Sequence, residues 1–419
     1  MIIGIDASRA NKPNKTGTEW YSWHIIEELK KIAGSSVIPA QAGIQKKINK
    51  NNTWIPGQAR NDNLGGDNFL LYTNSALTDG LEKLPENFTE RDLKWPPKYL
   101  WTQLRLWWEL WRNPPHVLLF PAHTIPFLPL PKKIKVVVTV HDVGFKRSPE
   151  LYKSIQVLYH DLTMRRIRQR ADIIVTISEF SKREIMELYH VPAEKIKISY
   201  LGFDANKFFV QGESEAIDSS PVIPGLTRNP EFPNDKSVLK KYNITKPYLL
   251  YVGRMEKKKN IAGIILAFAL AKETNPELKL VLAGSAGHQF EEIKKIITDH
   301  RLENEVIITG YVDNDDLPVI YNQAEIFLFP TLYEGFGLPI LESMASGVPV
   351  ITSNFEPHTE VGGDSAYYAD PYSPEALADG INKLMSDLEL RQSLKEKGLE
   401  RVKEFSWNQT ATRVYEMIK

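Results

Sequence analysis

Short runs of consecutive apolar residues recur along the chain, separated by segments whose apolar positions repeat with helical spacing. In the first half the runs are MIIGID, FLLYTN, VLLFP, KVVVTVHD, IIVTIS and KIKISY. In the second half they are PYLLYVG, LKLVLAG, EVIITG, IFLFP and VPVITS. Runs without polar alternation belong to strands buried on both faces, as in parallel sheets. GTEWYSWHIIEELKKI (17–32) and SKREIMELYH (181–190) are two of the helices expected between them. The alternation predicts an α/β chain of two consecutive units, each a parallel sheet with crossover helices.

Two segments break the rhythm. Residues 35–63 and 218–235 carry neither period and are polar or rich in Pro and Gly. Both begin with Ser-Ser before Val-Ile-Pro, and each holds an Arg-Asn dipeptide near its end. Val-Ile-Pro can be encoded so that its reverse complement reads Arg-Asn-Asp, which stands at Arg60, Asn61 and Asp62. The first segment therefore reads as a translated palindromic DNA repeat inserted between elements, and the second as a truncated relative. Insertions in such connections cost little loop-closure entropy.

Composition narrows the class. The chain has 419 residues, enough for two or three cores. Lys plus Arg and Asp plus Glu are equal at 52 each, so no overall field draws nucleic acid. Zero Cys excludes disulfides, thiolate metal sites and Cys nucleophiles, and fits a reducing compartment. MIIGID reads as a buried strand, not a secretory signal, and the apolar stretch 116–131 is broken by Pro and His. The expectation is a cytoplasmic protein, free or on the inner face of a membrane.

The chemistry concentrates in TLYEGFGLPILESMASGVPVITSN (331–354). A Gly-rich bend opens into a helix, with Pro339 suited to the first turn and Gly347 to the stop. The amides near Gly337 and Leu338 are then free to hold an anion such as a diphosphate. Glu334 lies on the loop, and Glu342 is expected in the first helical turn, so the two can hold sugar hydroxyls on either side of it. The plainer alternative is a loop Glu plus a Glu that stabilises the helix start. PYLLYVGRMEKKKN (247–260) runs a strand into Gly253, Arg254 and a basic loop, placing Arg254 and Lys259 where α/β folds bind ligands. Three successive lysines can equally be a solvated face.

Taken together, GR-(x)4-KN and, about 75 residues on, EGFGLP-(x)2-E resemble the retaining glycosyltransferases of family 4, which have the GT-B fold. VVVTVHDVGF (136–145), DIIVTISEFSKREI (172–185) and LVLAGSAG (280–287) agree. The resemblance implies two Rossmann-like domains facing a cleft. Residues 1–205 would form the acceptor side and 206–404 the nucleotide-sugar side, with a helix from 405–419 crossing back. It implies that Arg254 and Lys259 neutralise the donor diphosphate, helped by the loop of Gly335, Phe336, Gly337 and Leu338. Glu334 would hold the donor sugar, Glu342 the ribose, and His141 would reach the donor sugar from the first domain. Gly17 would belong to a flexible glycine loop near acceptor and diphosphate; a helix start capped by Thr16 explains it equally well.

The implied reaction moves a hexosyl unit from a nucleoside diphosphate sugar to a glycan or lipid-linked acceptor. GDP-mannose is the first choice of donor and a UDP-hexose the second, with no cofactor and no metal. Asp313-Asn314-Asp315 mimics a metal-binding D-x-D, but Asp315 or Asp316 is expected to cap the following helix instead. A nucleotide-sugar epimerase of the same fold, a non-catalytic nucleotide-sugar binder, and a product disabled by its inserts are the alternatives. Finally, Trp101, Leu104, Trp108 and Trp111 share one face at helical spacing. The Trp-rich 95–111 segment reads as a core-facing helix or as a peripheral membrane contact, which RRIRQR (165–170) could join.

Overall fold

A computed structural model describes residues 1–12, 15–34, 66–95, 100–211, 235–287 and 290–419. Segment 35–63, and 218–235 except Asp235, lie outside the described residues, so the insert reading is not addressed by them. The chain divides into two compact units, 1–201 with 407–419, and 202–406.

The first unit is built on seven strands: β1 (Ile2–Asp6), β2 (Asn68–Thr73), β3 (Phe88–Asp92), β4 (Val117–Phe120), β5 (Lys135–Thr139), β6 (Ile173–Thr176) and β7 (Ile196–Ile198). The second has β8 (Tyr248–Val252), β9 (Lys279–Ala283), β10 (Val306–Gly310), β11 (Ile326–Phe329), β12 (Val350–Ser353) and β13 (Tyr367–Ala369). The sheet orders are β3-β2-β1-β4-β5-β6-β7 and β10-β9-β8-β11-β12-β13, with parallel pairing throughout. Each sheet reverses its winding once, between β1 and β4 and between β8 and β11. Adjacent connections there leave toward opposite faces and open a crevice at the carboxyl ends of the strands.

The central strands are buried almost throughout, which explains their uninterrupted apolar runs. Two strands were not legible. β3 is FTERD and β13 spans only three residues, and both are edge strands that need no second buried face. The final helix, Trp407–Ile418, packs within the first unit: Trp407 stacks on His24 at 4.4 Å, and Ser199 donates to the Thr410 carbonyl at 3.0 Å.

The Trp-rich segment differs from the expected stripe. Trp101–Leu106 is a π-turn entered from Leu100 in the left-handed region, and Trp107–Arg112 continues as α-helix. A π-turn bonds i to i+5, so Trp101 and Leu106 share the inner face, followed by Leu110. Leu104, Trp108 and Trp111 are turned outward. A constant 3.6 period could not foresee this. No helix among the described residues is long and apolar enough to cross a membrane.

Candidate active site

In the second unit the loops after β8 and β11 leave from the two strands that flank the winding reversal. Gly253 turns the chain out of β8 at φ 146°, and Gly284 after β9 lies so close that a Cβ there would run into the Gly253 carbonyl. The lysines 257–259 form one 3-10 turn, closed by Asn260 in the left-handed region. Asn tolerates that conformation, and its amide donates to the carbonyls of Pro330 at 3.1 Å and Pro371 at 2.6 Å. The Leu332 amide donates to the Lys258 carbonyl at 2.7 Å, so the two loops are bonded side by side.

That lacing brings Lys259 against Glu334 in a largely buried ion pair, with the ammonium 5.3 Å from the centre of the Phe329 ring. Burial alone would raise the Glu334 pKa, but Lys259 and Lys258 outweigh it and hold the carboxyl below its ordinary range. His358 donates to or accepts from the Thr331 hydroxyl at 3.1 Å, and burial pushes its pKa down to about 4, so it is neutral.

Gly337 caps the next helix at φ 102°, a conformation a side chain resists; a Cβ would also sit 3.3 Å from the His358 ring. The helix is Leu338–Ala345 with Pro339 in its first turn, and Gly347 ends it at φ 70°. The amides of Gly337 and Leu338 make no hydrogen bond among the described residues. Gly335 and Phe336 complete the bend, with Phe336 buried against Phe405.

Glu342 corrects one expectation. It is the fifth helical residue, past the first turn, too far in to serve the helix start. Burial raises its pKa to about 7, opposed by the Tyr321 hydroxyl, which donates to it at 3.0 Å. The pKa values of the motif's two carboxyls are thus shifted in opposite directions: Glu334 is held ionised, and Glu342 titrates near neutral pH. Nothing in the chain near Tyr321 or His358 announced these partnerships, because both arrive from other elements.

Arg254 is on the same loop as Lys259 but is exposed, with Glu256 3.4 Å away. The Asp313 region also departs from expectation. Asp316 holds the cap position of helix Leu317–Asn322, yet its side chain caps nothing. Its carboxylate takes Lys241 at 2.6 Å and Tyr242 at 2.8 Å, because a cation outcompetes backbone amides for it. Asp315 is exposed, and no cluster of three or more metal-ligating side chains occurs among the described residues.

In the first unit, His141 follows β5 and is buried, with Nε2 3.2 Å from the Pro121 carbonyl and its ring edge-on to Tyr21 at 4.7 Å. Burial lowers its pKa, so the imidazole is neutral. Gly17 is the first residue of helix Gly17–Gly34. Thr16 stands at the cap and bonds Glu19, whose carboxylate also reaches the Thr16 amide at 3.3 Å, the reverse half of a capping box. Glu19 gathers Arg9 at 3.1 Å and Lys12 at 3.0 Å as well. Burial would raise the Glu19 pKa, but Thr16, Lys12 and Arg9 bring it to about 2. The sequence reading missed Arg9, Glu19 and His123; the Nε2 of His123 lies 3.0 Å from Nδ1 of His160, which arrives from the helix Ser154–Arg170.

A Cβ at Gly17 would meet nothing within 4 Å. Gly17→Ala is therefore expected to hold or raise stability by up to about 1 kcal/mol. If ligand backbone or phosphate must approach here, it should still lower kcat/KM about tenfold, since a methyl fills the open space. Thermal melting and steady-state kinetics separate the two; unchanged kinetics would remove Gly17 from the site.

The family model for glycosyl transferases group 1 matches residues 234–401, and that for glycosyltransferase family 4 matches 77–207. The O-antigen chain mannosyltransferase B of Escherichia coli is 33% identical over 295 residues, covering 69% of this chain and 72% of that protein. The chain belongs to the family 4, group 1 glycosyltransferases. Solved structures agree on the fold of this transferase. The sucrose-phosphate synthase of Thermosynechococcus elongatus gives a TM-score of 0.67 at 17% identity, over 100% of this chain and 98% of that one. Anabaena Alr3699/HepE, solved with UDP and glucose, gives 0.66 at 16% identity over 99% and 98%. The transferase has the two-Rossmann-domain GT-B fold.

Proposed function

We propose that this transferase moves a mannosyl unit from GDP-mannose to a hydroxyl of a glycan or lipid-linked acceptor in bacterial surface-polysaccharide assembly. The observation that carries the donor role is the Lys259–Glu334 pair beside the open helix start at Gly337 and Leu338. In this reading Lys259 turns to the leaving diphosphate, and the released Glu334 holds the sugar hydroxyls. Arg254 and the free amides share the diphosphate charge, and Glu342 accepts from the ribose. His141 contributes a neutral imidazole to the sugar. Stabilising the departing nucleoside diphosphate is then the main catalytic effect. The configuration of the transferred sugar is retained, and no metal is needed, because Lys259, Arg254 and the free amides supply the positive charge the diphosphate requires. The likeness to an E. coli O-antigen mannosyltransferase supports mannose. A lipid-linked acceptor would bring the enzyme to the inner face of a membrane.

Calorimetric titration in EDTA should show GDP-mannose binding that magnesium does not change. Arg254→Ala should weaken it about tenfold or more, the usual cost of losing a charged phosphate contact. Binding of UDP-glucose instead would reassign the donor, a reading that Alr3699/HepE with its UDP and glucose favours. Binding only with magnesium would overturn metal independence. A folded protein that bound no donor would overturn the whole reading.

A further inference from the structure

Of the sixteen large apolar side chains that stand well exposed among the described residues, ten lie between Leu100 and Leu162. Nine of these fall on three segments of the first unit, and Leu100 enters the first of them. The π/α-helix 101–112 presents Leu104, Trp108 and Trp111, the two indoles being 52% and 53% exposed. The loop 125–131 adds Phe127 and Leu128. The helix Ser154–Arg170 shows Ile155 (74% exposed), Leu158 (58%) and Leu162 at helical spacing.

Hydrogen bonds make these one surface. The indoles of Trp107 and Trp111 both donate to the Pro129 carbonyl at 2.8 Å, and the Phe127 amide donates to Gln103 at 2.8 Å. On the other side of the loop, Arg166 donates to the carbonyls of Leu128 at 3.1 Å and Pro126 at 3.4 Å, and the rings of Phe127 and Tyr159 lie 6.0 Å apart. The loop is thus clasped between two helices, each with an outward apolar face.

Charge identifies the partner. Residues 100–170 carry twelve Lys and Arg against four Asp and Glu, a net of +8 in a chain whose total is zero. Two of those four acids, Glu109 and Asp161, are already held by arginines. Arg112, Lys132 and Lys133 are exposed and pair with no carboxylate among the described residues. A second copy of this face would set like charges against one another. A surface of Trp and Leu flanked by unpaired cations matches the boundary of an anionic bilayer, where indoles sit at headgroup level and basic residues are drawn to the lipid charge.

We infer that helix 101–112, loop 125–131 and helix 154–170 form a docking surface for anionic phospholipid. The partner rests on the membrane-face reading proposed above, whereas the surface itself does not. The test is sedimentation of the full chain with phosphatidylcholine vesicles, with and without about 30 mol % phosphatidylglycerol. Wild type should bind the anionic vesicles and release them as salt rises. Leu104→Ser/Trp108→Ser and, separately, Arg112→Gln/Lys132→Gln/Lys133→Gln should each lower binding about tenfold or more while donor titration stays unchanged. The charge variant alters only exposed groups and so keeps the test valid if the apolar variant misfolds. Wild type that binds donor but no anionic vesicle, variants that bind as wild type does, or self-association that the variants abolish would each overturn the surface. Absence of donor binding with vesicle binding intact would instead count against the transferase reading.

Discussion

Lys259→Met is expected to lose donor binding altogether and to unfold about 3 kcal/mol more easily than wild type. Removing one partner of a largely buried ion pair leaves the other charge desolvated and uncompensated, and Glu334 is that charge. Calorimetric donor titration measures the first consequence and urea titration at neutral pH the second. Lys259→Met/Glu334→Gln should regain most of the stability, because no buried charge remains, but none of the binding. This split separates a structural pair from a functional one. Full donor affinity in the double variant would mean that Lys259 and Glu334 serve only the fold.

Donor affinity is expected to fall about tenfold between about pH 8 and about pH 6, following the protonation of Glu342 near its raised pKa of about 7. Only the ionised carboxylate can accept two hydroxyl bonds, and a nucleoside diphosphate sugar keeps its diester phosphates ionised throughout. Glu342→Gln should bind more weakly but show no slope in that window. The stability consequence has the opposite sense. With a folded pKa above the ordinary 4.5, the folded chain holds this proton more tightly than the unfolded one. Its contribution is full below about pH 4.5 and lost as the pH rises to about 7. Relative to wild type, Glu342→Gln should therefore gain about 3 kcal/mol across that range, at about 1.4 kcal/mol per unit. A fall shared by both proteins would assign the effect to another group; His358, with its pKa lowered to about 4, contributes the opposite slope, stability gained as the pH rises from about 4 to about 6.5.

How much was legible depends on the range of the interactions involved. Glu334, Gly337, Pro339 and Gly347 announce a bend, a helix start and a helix stop because those are local backbone requirements. Lys259 and Arg254 were visible as a basic loop after a buried strand. What the loop does with them was not. Lys259 meets Glu334 only because β8 and β11 are neighbours, 75 residues apart in sequence, and Arg254 on the same loop stays outside. The Asp316 cap failed for a similar reason: Lys241 and Tyr242 come from another helix and its end to take the carboxylate.

By itself, then, the sequence determined the class of fold, nearly every buried strand, and the local bends and helix starts of the candidate loops, since periodicity, turn residues and caps act within a few residues of chain. Tertiary structure decided the rest. It added edge strands β3 and β13, turned Trp108 and Trp111 outward through a π-turn, and shifted the pKa values of Glu334 and Glu342 in opposite directions. Burial and long-range charge fix those shifts, and neither exists until the sheets are assembled.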